Sequence, residues 1–126
     1  MNVVDSSLWM EYFLGNPIDI SIKAAIDNKE FLIVPTISIY EIYKKMQTEK
    51  GISYADVLID VMKDGIVVNI DSEIAVLAAK LGKQYKLPMA DSIIYATARI
   101  YNATTWTQDQ HFEGLDFVKY FKKSAI

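Results

Sequence analysis

The 126-residue sequence predicts an α/β domain with a mainly parallel sheet of four to five strands flanked by helices. Three observations lead there. Short runs rich in β-branched residues recur along the chain, at Val3-Val4, Phe31 to Val34, Ile66 to Ile70 and Thr104 to Thr107. The runs are separated by segments whose apolar residues fall at helical spacing. The second and third runs are largely apolar without polar alternation, as expected of strands covered on both faces.

Val3-Val4 ends at Asp5, and the hydroxyls of Ser6-Ser7 offer an N-cap for the apolar-periodic segment Leu8 to Leu14. Gly15-Asn16-Pro17 breaks that helix, and Ile18, Ile22, Ala25 and Ile26 predict a second one over 18–27. Phe31 to Val34 forms the next strand and stops at Pro35. Thr36 can then cap a helix carrying Ile39, Ile42, Tyr43 and Met46. Gly51 closes it, Ser53 can cap another through about Asp64, and Gly65 precedes the third strand, Ile66 to Ile70. Asp71 and Ser72 start a helix with Ile74, Leu77, Ala78, Leu81 and Tyr85 on one side. After the break at Leu87-Pro88 the helical spacing resumes over Ala90 to Tyr101, with Asn102 at its end. Thr104 to Thr107 is the expected fourth strand, and Phe117 to Phe121 the last. The expected organisation is one domain over 1–126, long enough to close a core without disulfides or structural metal.

Composition narrows the chemistry. No cysteine is present, so thiolate metal sites and cysteine nucleophiles are out, and any metal must rest on oxygen or on His111. No apolar stretch approaches the roughly 20 residues of a membrane-spanning helix. The start Met1-Asn2-Val3-Val4-Asp5 has no basic-then-apolar leader, so the expected compartment is the cytoplasm. No Walker loop, Gly-x-Gly-x-x-Gly or Gly-x-Ser-x-Gly occurs, which leaves nucleotide-cofactor and serine-hydrolase chemistry without a motif. The net charge is −3, unfavourable at first sight for nucleic acid. Committing four of the 16 acids to a metal site leaves 12 against 13 basic groups, so an RNA substrate stays compatible with the total.

Ligands of open α/β sheets gather beyond the carboxyl ends of the strands. That rule selects among the acids. Asp5 follows the first strand, Asp109 follows the fourth, Asp91 opens the helix after Pro88, and Glu41 lies in the helix after the second strand, where its longer side chain can reach back. Crowded carboxylates repel unless a cation neutralises them, so Mg²⁺ or Mn²⁺ is the natural occupant of such a cluster. Phosphodiester hydrolysis is the chemistry that set best supports. Taken singly, each acid also has an ordinary reading: Asp5 and Asp91 as helix caps, Glu41 as a solvated helix residue, Asp109 as a turn former.

Four segments then occur in order: Val3-Val4-Asp5-Ser6-Ser7, Thr36 through Glu41, Leu87-Pro88-Met89-Ala90-Asp91-Ser92-Ile93-Ile94, and Thr107-Gln108-Asp109-Gln110-His111-Phe112. Together they resemble the VapC branch of the PIN-domain family. The resemblance implies a Rossmann-like sheet, Mg²⁺- or Mn²⁺-dependent endoribonuclease activity, a homodimer, and inhibition by a cognate VapB-type antitoxin. By the same resemblance Asp5, Glu41 and Asp91 match the acidic metal-site positions, and Asp109 the acidic position after the fourth strand. Ser6 and Thr107 match hydroxyl residues that flank the site, and His111 stands where many relatives carry a further acid.

Around this set, Lys44 and Arg99 are candidate phosphate contacts, each following a proposed site acid on the same helix. Tyr40, Tyr43, Tyr54 and Trp9 can stack on bases or pack against a protein partner, with core packing the ordinary alternative. His111 can serve as a ligand, proton donor or phosphate contact, with an exposed or structural role the commoner one. A receiver-like phosphoacceptor domain is disfavoured, because Asp5 is followed by Ser6 rather than a second acid. A catalytically inactive PIN-like RNA- or protein-binding module is the remaining alternative.

Overall fold

In the computed structural model, which describes residues 1–123, five strands form one wholly parallel sheet. They are β1 (Asn2–Val4), β2 (Leu32–Pro35), β3 (Ile66–Val68), β4 (Thr104–Thr107) and β5 (Val118–Tyr120), in the spatial order β3-β2-β1-β4-β5. Six helices surround them: α1 (Ser6–Phe13), α2 (Ile20–Asp27), α3 (Thr36–Lys50), α4 (Ile52–Lys63), α5 (Ser72–Tyr85) and α6 (Met89–Ile100). The last three positions of the expected 1–126 domain lie outside the described residues. Among the described residues no helix is long and apolar enough to cross a membrane.

Residue alternation in the strands divides the core into two layers. Val4, Leu32 and Val34 face a cluster with Leu8, Trp9, Ile26, Ile42, Met46 and Met62, supplied by α1 to α4. Val3, Ile33 and Val68 face the opposite way, onto Ile74 and Ala78 of α5 and Ile94 and Ala98 of α6. Side chains such as Leu8, Ile33 and Ile94 are fully or almost fully buried, and each contributes about 1.5–3 kcal/mol to folding. The register is set accordingly: Val3 pairs with Ile33 on one side and Thr105 on the other. Gly65 is demanded by this packing, since a Cβ there would stand 2.8 Å from Val34 Cγ2 and 2.9 Å from the Leu32 carbonyl oxygen.

The chain winds outward from β1 to β3, then crosses back to place β4 on the other side of β1. The connections beyond β1 and β4 therefore leave in opposite directions, and the crevice between them is the topological switch point of the sheet.

Several local expectations are corrected. Asp5, not a serine hydroxyl, caps α1. The second helix begins at Ile20, and Ile18 instead packs beneath it as a partly buried residue of the first core layer. Thr36 is the first residue of α3 behind Pro35, and Ser53 lies inside α4 behind Gly51, so neither caps. β3 ends at Val68, where the chain turns toward the Asp71 cap of α5: Asp71 Oδ1 accepts the Ile74 N–H at 2.9 Å. The final strand is shorter than 117–121, because Phe117 adopts a positive φ of 61° that no strand accommodates.

Candidate active site

The carboxyl ends of β1 and β4 are tied together just where the acids begin. The Asp5 N–H donates to the Trp106 carbonyl at 2.9 Å, continuing the β1–β4 ladder one residue past the strand. This delivers the Asp5 side chain into the crevice, where it is 3% exposed. Its Oδ1 accepts the Ser7 N–H at 3.0 Å, the α1 cap, and its Oδ2 accepts the Ser7 hydroxyl at 2.9 Å and the hydroxyl of Thr107. Thr107 Oγ1 in turn accepts the Asp109 N–H at 2.9 Å, so its own proton is directed at Asp5. One backbone turn after β4 thus positions two carboxylates at once.

Asp109 caps a 3-10 turn over Gln110–Phe112, accepting the His111 N–H at 2.9 Å. The tight Asp-x-His turn folds the imidazole back onto the acid, so that His111 Nδ1 lies 2.8 Å from Asp109 Oδ1 and 3.4 Å from Asp91 Oδ2. Asp91, in the first turn of α6 after Pro88, is 9% exposed. Glu41 is partly buried on α3, and its Oε1 accepts the hydroxyl of Ser6, the first residue of α1, at 2.6 Å.

Electrostatics record how closely these groups crowd. Burial, then the charge of Asp109, then that of Asp5, with Glu41 adding to them, push the Asp91 carboxyl up to about 8. The Asp5 carboxyl is raised as well, chiefly by burial and slightly by Asp109, against the lowering effect of its Thr107 and Ser7 hydrogen bonds. Each of the other three acids therefore acts on Asp91. Asp91, Asp109 and His111 bring one ligand atom each within 4.8 Å of one another, a group able to hold a metal ion. Its donors are carboxylate oxygens, which suit hard divalent cations, and one imidazole, which suits transition metals.

Of the sequence-predicted residues, Asp5, Glu41, Asp91 and Asp109 share this edge, with Ser6 and Thr107 as hydrogen-bond donors to two of them. Lys44 lies one turn beyond Glu41, lining with it an open depression of about 400 Å³. Arg99 is not brought to the cluster. It is eight residues beyond Asp91, about 12 Å along α6, where its guanidinium donates to the Tyr95 hydroxyl at 3.2 Å and packs 4.8 Å from the centroid of the Phe117 ring. Trp9 belongs wholly to the core. Sequence reasoning left the role of His111 open, and the structure places it exposed beside Asp91 and Asp109; the support that Ser7 gives Asp5 was missed. The Asp-x-His spacing was the available signal for the histidine, because an Asx turn aims residue i+2 back at the acid.

Residues 3–118 match the family model for the PIN domain. Among the curated proteins none matches the sequence. Solved structures do. A toxin–antitoxin complex from Klebsiella pneumoniae contains a chain similar at TM-score 0.77 and 20% identity, with 94% of this chain and 96% of that one covered. A DNA-bound VapBC from Salmonella typhimurium is similar at TM-score 0.77 and 12% identity, covering 96% and 98%. VapC20 of Mycobacterium tuberculosis, a sarcin-ricin loop cleaving toxin, is similar at TM-score 0.73 and 17% identity, covering 94% and 97%. At these identities the likeness is one of fold.

Proposed function

The chain belongs to the PIN domain family, and on that footing we propose that it is a divalent-metal-dependent endoribonuclease, the toxin of a VapBC-type pair. The observation that carries this reading is the pressure of three acids from three other chain segments on the buried Asp91 carboxyl. Such a cluster is costly as four bare charges and becomes favourable around a cation. Asp5, Asp91 and Asp109 would hold the ion, Mg²⁺ or Mn²⁺, with Glu41 beside them. When bound, it would neutralise the cluster, orient an RNA phosphodiester and favour hydrolytic, in-line displacement.

The chain's own groups have separable tasks. Ser7 and Thr107 hold both oxygens of Asp5 in one orientation, and Ser6 does the same for Glu41. The His111 imidazole lies beside both acids, Nδ1 2.8 Å from Asp109 Oδ1 and 3.4 Å from Asp91 Oδ2, where it can serve as a ligand, proton donor or phosphate contact. Lys44 and Lys45, in the depression shared with Glu41, supply positive charge beside the acids, as a polyanion requires.

The similar folds of toxin–antitoxin complexes support a VapB-type antitoxin as partner, and we extend the reading to a homodimer in the cytoplasm. Purified protein should cleave RNA with Mg²⁺ or Mn²⁺, stop in EDTA, and lose cleavage on Asp91→Asn. Metal-independent cleavage, or parent-like turnover by that variant, would refute the reading. Sedimentation across protein concentrations tests the dimer separately.

A further inference from the structure

We propose that Lys123 holds a phosphate flanking the scissile one, in a polar cleft that adjoins the acidic centre and seats one nucleotide of a single-stranded RNA; this rests on the nuclease reading above. The cleft, about 460 Å³, is lined by Ser7, Gln108, Asp109, Gln110, His111 and Lys123. Two of these, Asp109 and His111, are also the residues that with Asp91 bring ligand atoms within 4.8 Å of one another. The cleft and the metal-binding group therefore share a wall.

Parallel pairing brings Lys123 to this place. β5 runs parallel to β4, so both strands deliver their carboxyl ends to the edge where Asp109 lies. The Phe121 N–H donates to the Thr107 carbonyl at 2.8 Å, carrying the ladder one residue past β5, and the Phe121 ring stacks on Trp106 with centroids 5.8 Å apart. The chain is thus anchored two residues before Lys123, whose Cα can lie no more than about 7 Å beyond that anchor. No structural task accounts for the side chain. Lys123 is exposed, and among the described residues it pairs with neither Asp109 nor any other acid.

The occupant follows from the wall. All six side chains end in polar groups, so the cleft suits a hydrogen-bonding ligand. Its fixed charges are one ammonium, on Lys123, and one carboxylate, on Asp109. A cation held at that carboxylate takes up the negative member, and the cleft is then positive and selects an anion. An RNA strand bound across the acids carries one phosphate per nucleotide, and where it passes from Asp109 and His111 into the cleft its next phosphate meets the ammonium. Between them stand the carboxamides of Gln108 and Gln110, each an acceptor and a double donor for sugar or base. Contacts to a base edge need that base unpaired, which favours single strands over a duplex.

The test measures affinity of the Asp91→Asn protein, as a cleavage-silent background, for a labelled single-stranded RNA by fluorescence anisotropy in Mg²⁺ over a range of salt. Adding Lys123→Ala should weaken binding about 10-fold at low salt, and Lys123→Arg should recover most of the loss. The plot of log affinity against log salt should become shallower by about 0.7 for Lys123→Ala, the signature of one lost phosphate contact on a single strand. Neither variant should lower the unfolding midpoint. Replacing phosphates one at a time by neutral methylphosphonates should reveal a single position, flanking the bond that the parent cuts, where the Lys123→Ala penalty disappears. Unchanged affinity for Lys123→Ala overturns the proposal, whatever the cleft then proves to hold. A penalty with an unchanged salt slope, or one that persists at every methylphosphonate position, overturns it equally. Failure of the nuclease reading would be seen elsewhere, as undiminished cleavage by Asp91→Asn alone.

Discussion

The hydroxyl of Thr107, at the end of β4, donates to the carboxylate of Asp5, at the end of β1, across the switch point of the sheet. Thr107 is fully buried and also accepts the Asp109 N–H. Thr107→Val removes the donor from a buried acid and the acceptor from a backbone amide, and should cost about 1–3 kcal/mol of stability. Metal-dependent cleavage should fall with it, and Thr107→Ser should recover most of both. Urea unfolding and metal titration of the two variants check this; a stable, fully active valine variant would mean that Ser7 alone suffices to hold Asp5.

Asp91→Asn should separate function from folding. The amide keeps the shape of the carboxylate but removes the charge on which Asp109, Asp5 and Glu41 act. Cleavage should be abolished, while in EDTA at neutral pH the variant should melt about 5 °C above the parent, since it is spared the proton that the Asp91 carboxyl must take up on folding. Differential scanning calorimetry alongside a cleavage assay reads both. A lower melting temperature in EDTA would show that the Asp91 carboxylate stabilises the metal-free fold.

The same crowding makes the metal-free protein sensitive to alkali. Asp91 is raised to about 8 when folded, against about 4 in an unfolded chain. Between those values the folded state binds more protons, so stability must fall as pH rises from about 4 to about 8. Asp5, also raised, acts with the same sign. Urea midpoints measured in EDTA should drop across that range, and Mg²⁺ or Mn²⁺ at pH 8 should restore them. A midpoint that climbs with pH, or ignores metal, would contradict the proposed site.

Asp109→Asn should be the mildest of the three aspartate changes. Asp109 is more exposed than Asp5 or Asp91, and its Oδ1 is already engaged by the His111 N–H and imidazole. An asparagine oxygen can keep the turn, and His111 or water can complete the metal shell. The variant should retain part of its activity and require a higher metal concentration than the parent, whereas Asp5→Asn and Asp91→Asn stay inactive at saturation. Titration with Mg²⁺ and with Mn²⁺ decides; equal inactivity would place Asp109 among the indispensable acids.

The fold class was legible because strand and helix periodicities are local. Val3-Val4, Phe31 to Val34 and the spacing of Ile74, Leu77 and Leu81 each announce an element without knowledge of any other. Helix starts were legible only in kind. At Asp5, Thr36 and Ser53 several residues can cap, and tertiary packing chose among them. The acids emerged from one rule about strand ends together with the ordered motifs, which explains why Asp5, Glu41, Asp91 and Asp109 share one edge of the sheet and why the rule says nothing of Arg99. Spacing along a helix says that two residues share a face. It does not say that they share an end, and α6 carries Arg99 away from the edge that Asp91 occupies.

The sequence by itself determined the alternation of strands and helices, the absence of thiol chemistry, and the four carboxylates with their order along the chain. Tertiary structure alone decided the strand order β3-β2-β1-β4-β5, which sets Thr107 against Asp5 although 102 positions separate them. It also decided the pairing of Ser6 with Glu41, the approach of His111 to Asp91, and the exposure of Tyr40 beside a partly buried neighbour. The physical reason is range. Propensity and periodicity act over a few residues, whereas Asp91 is pushed upward first by burial and then by charges delivered by three other segments, and both exist only once the sheet has closed those distances.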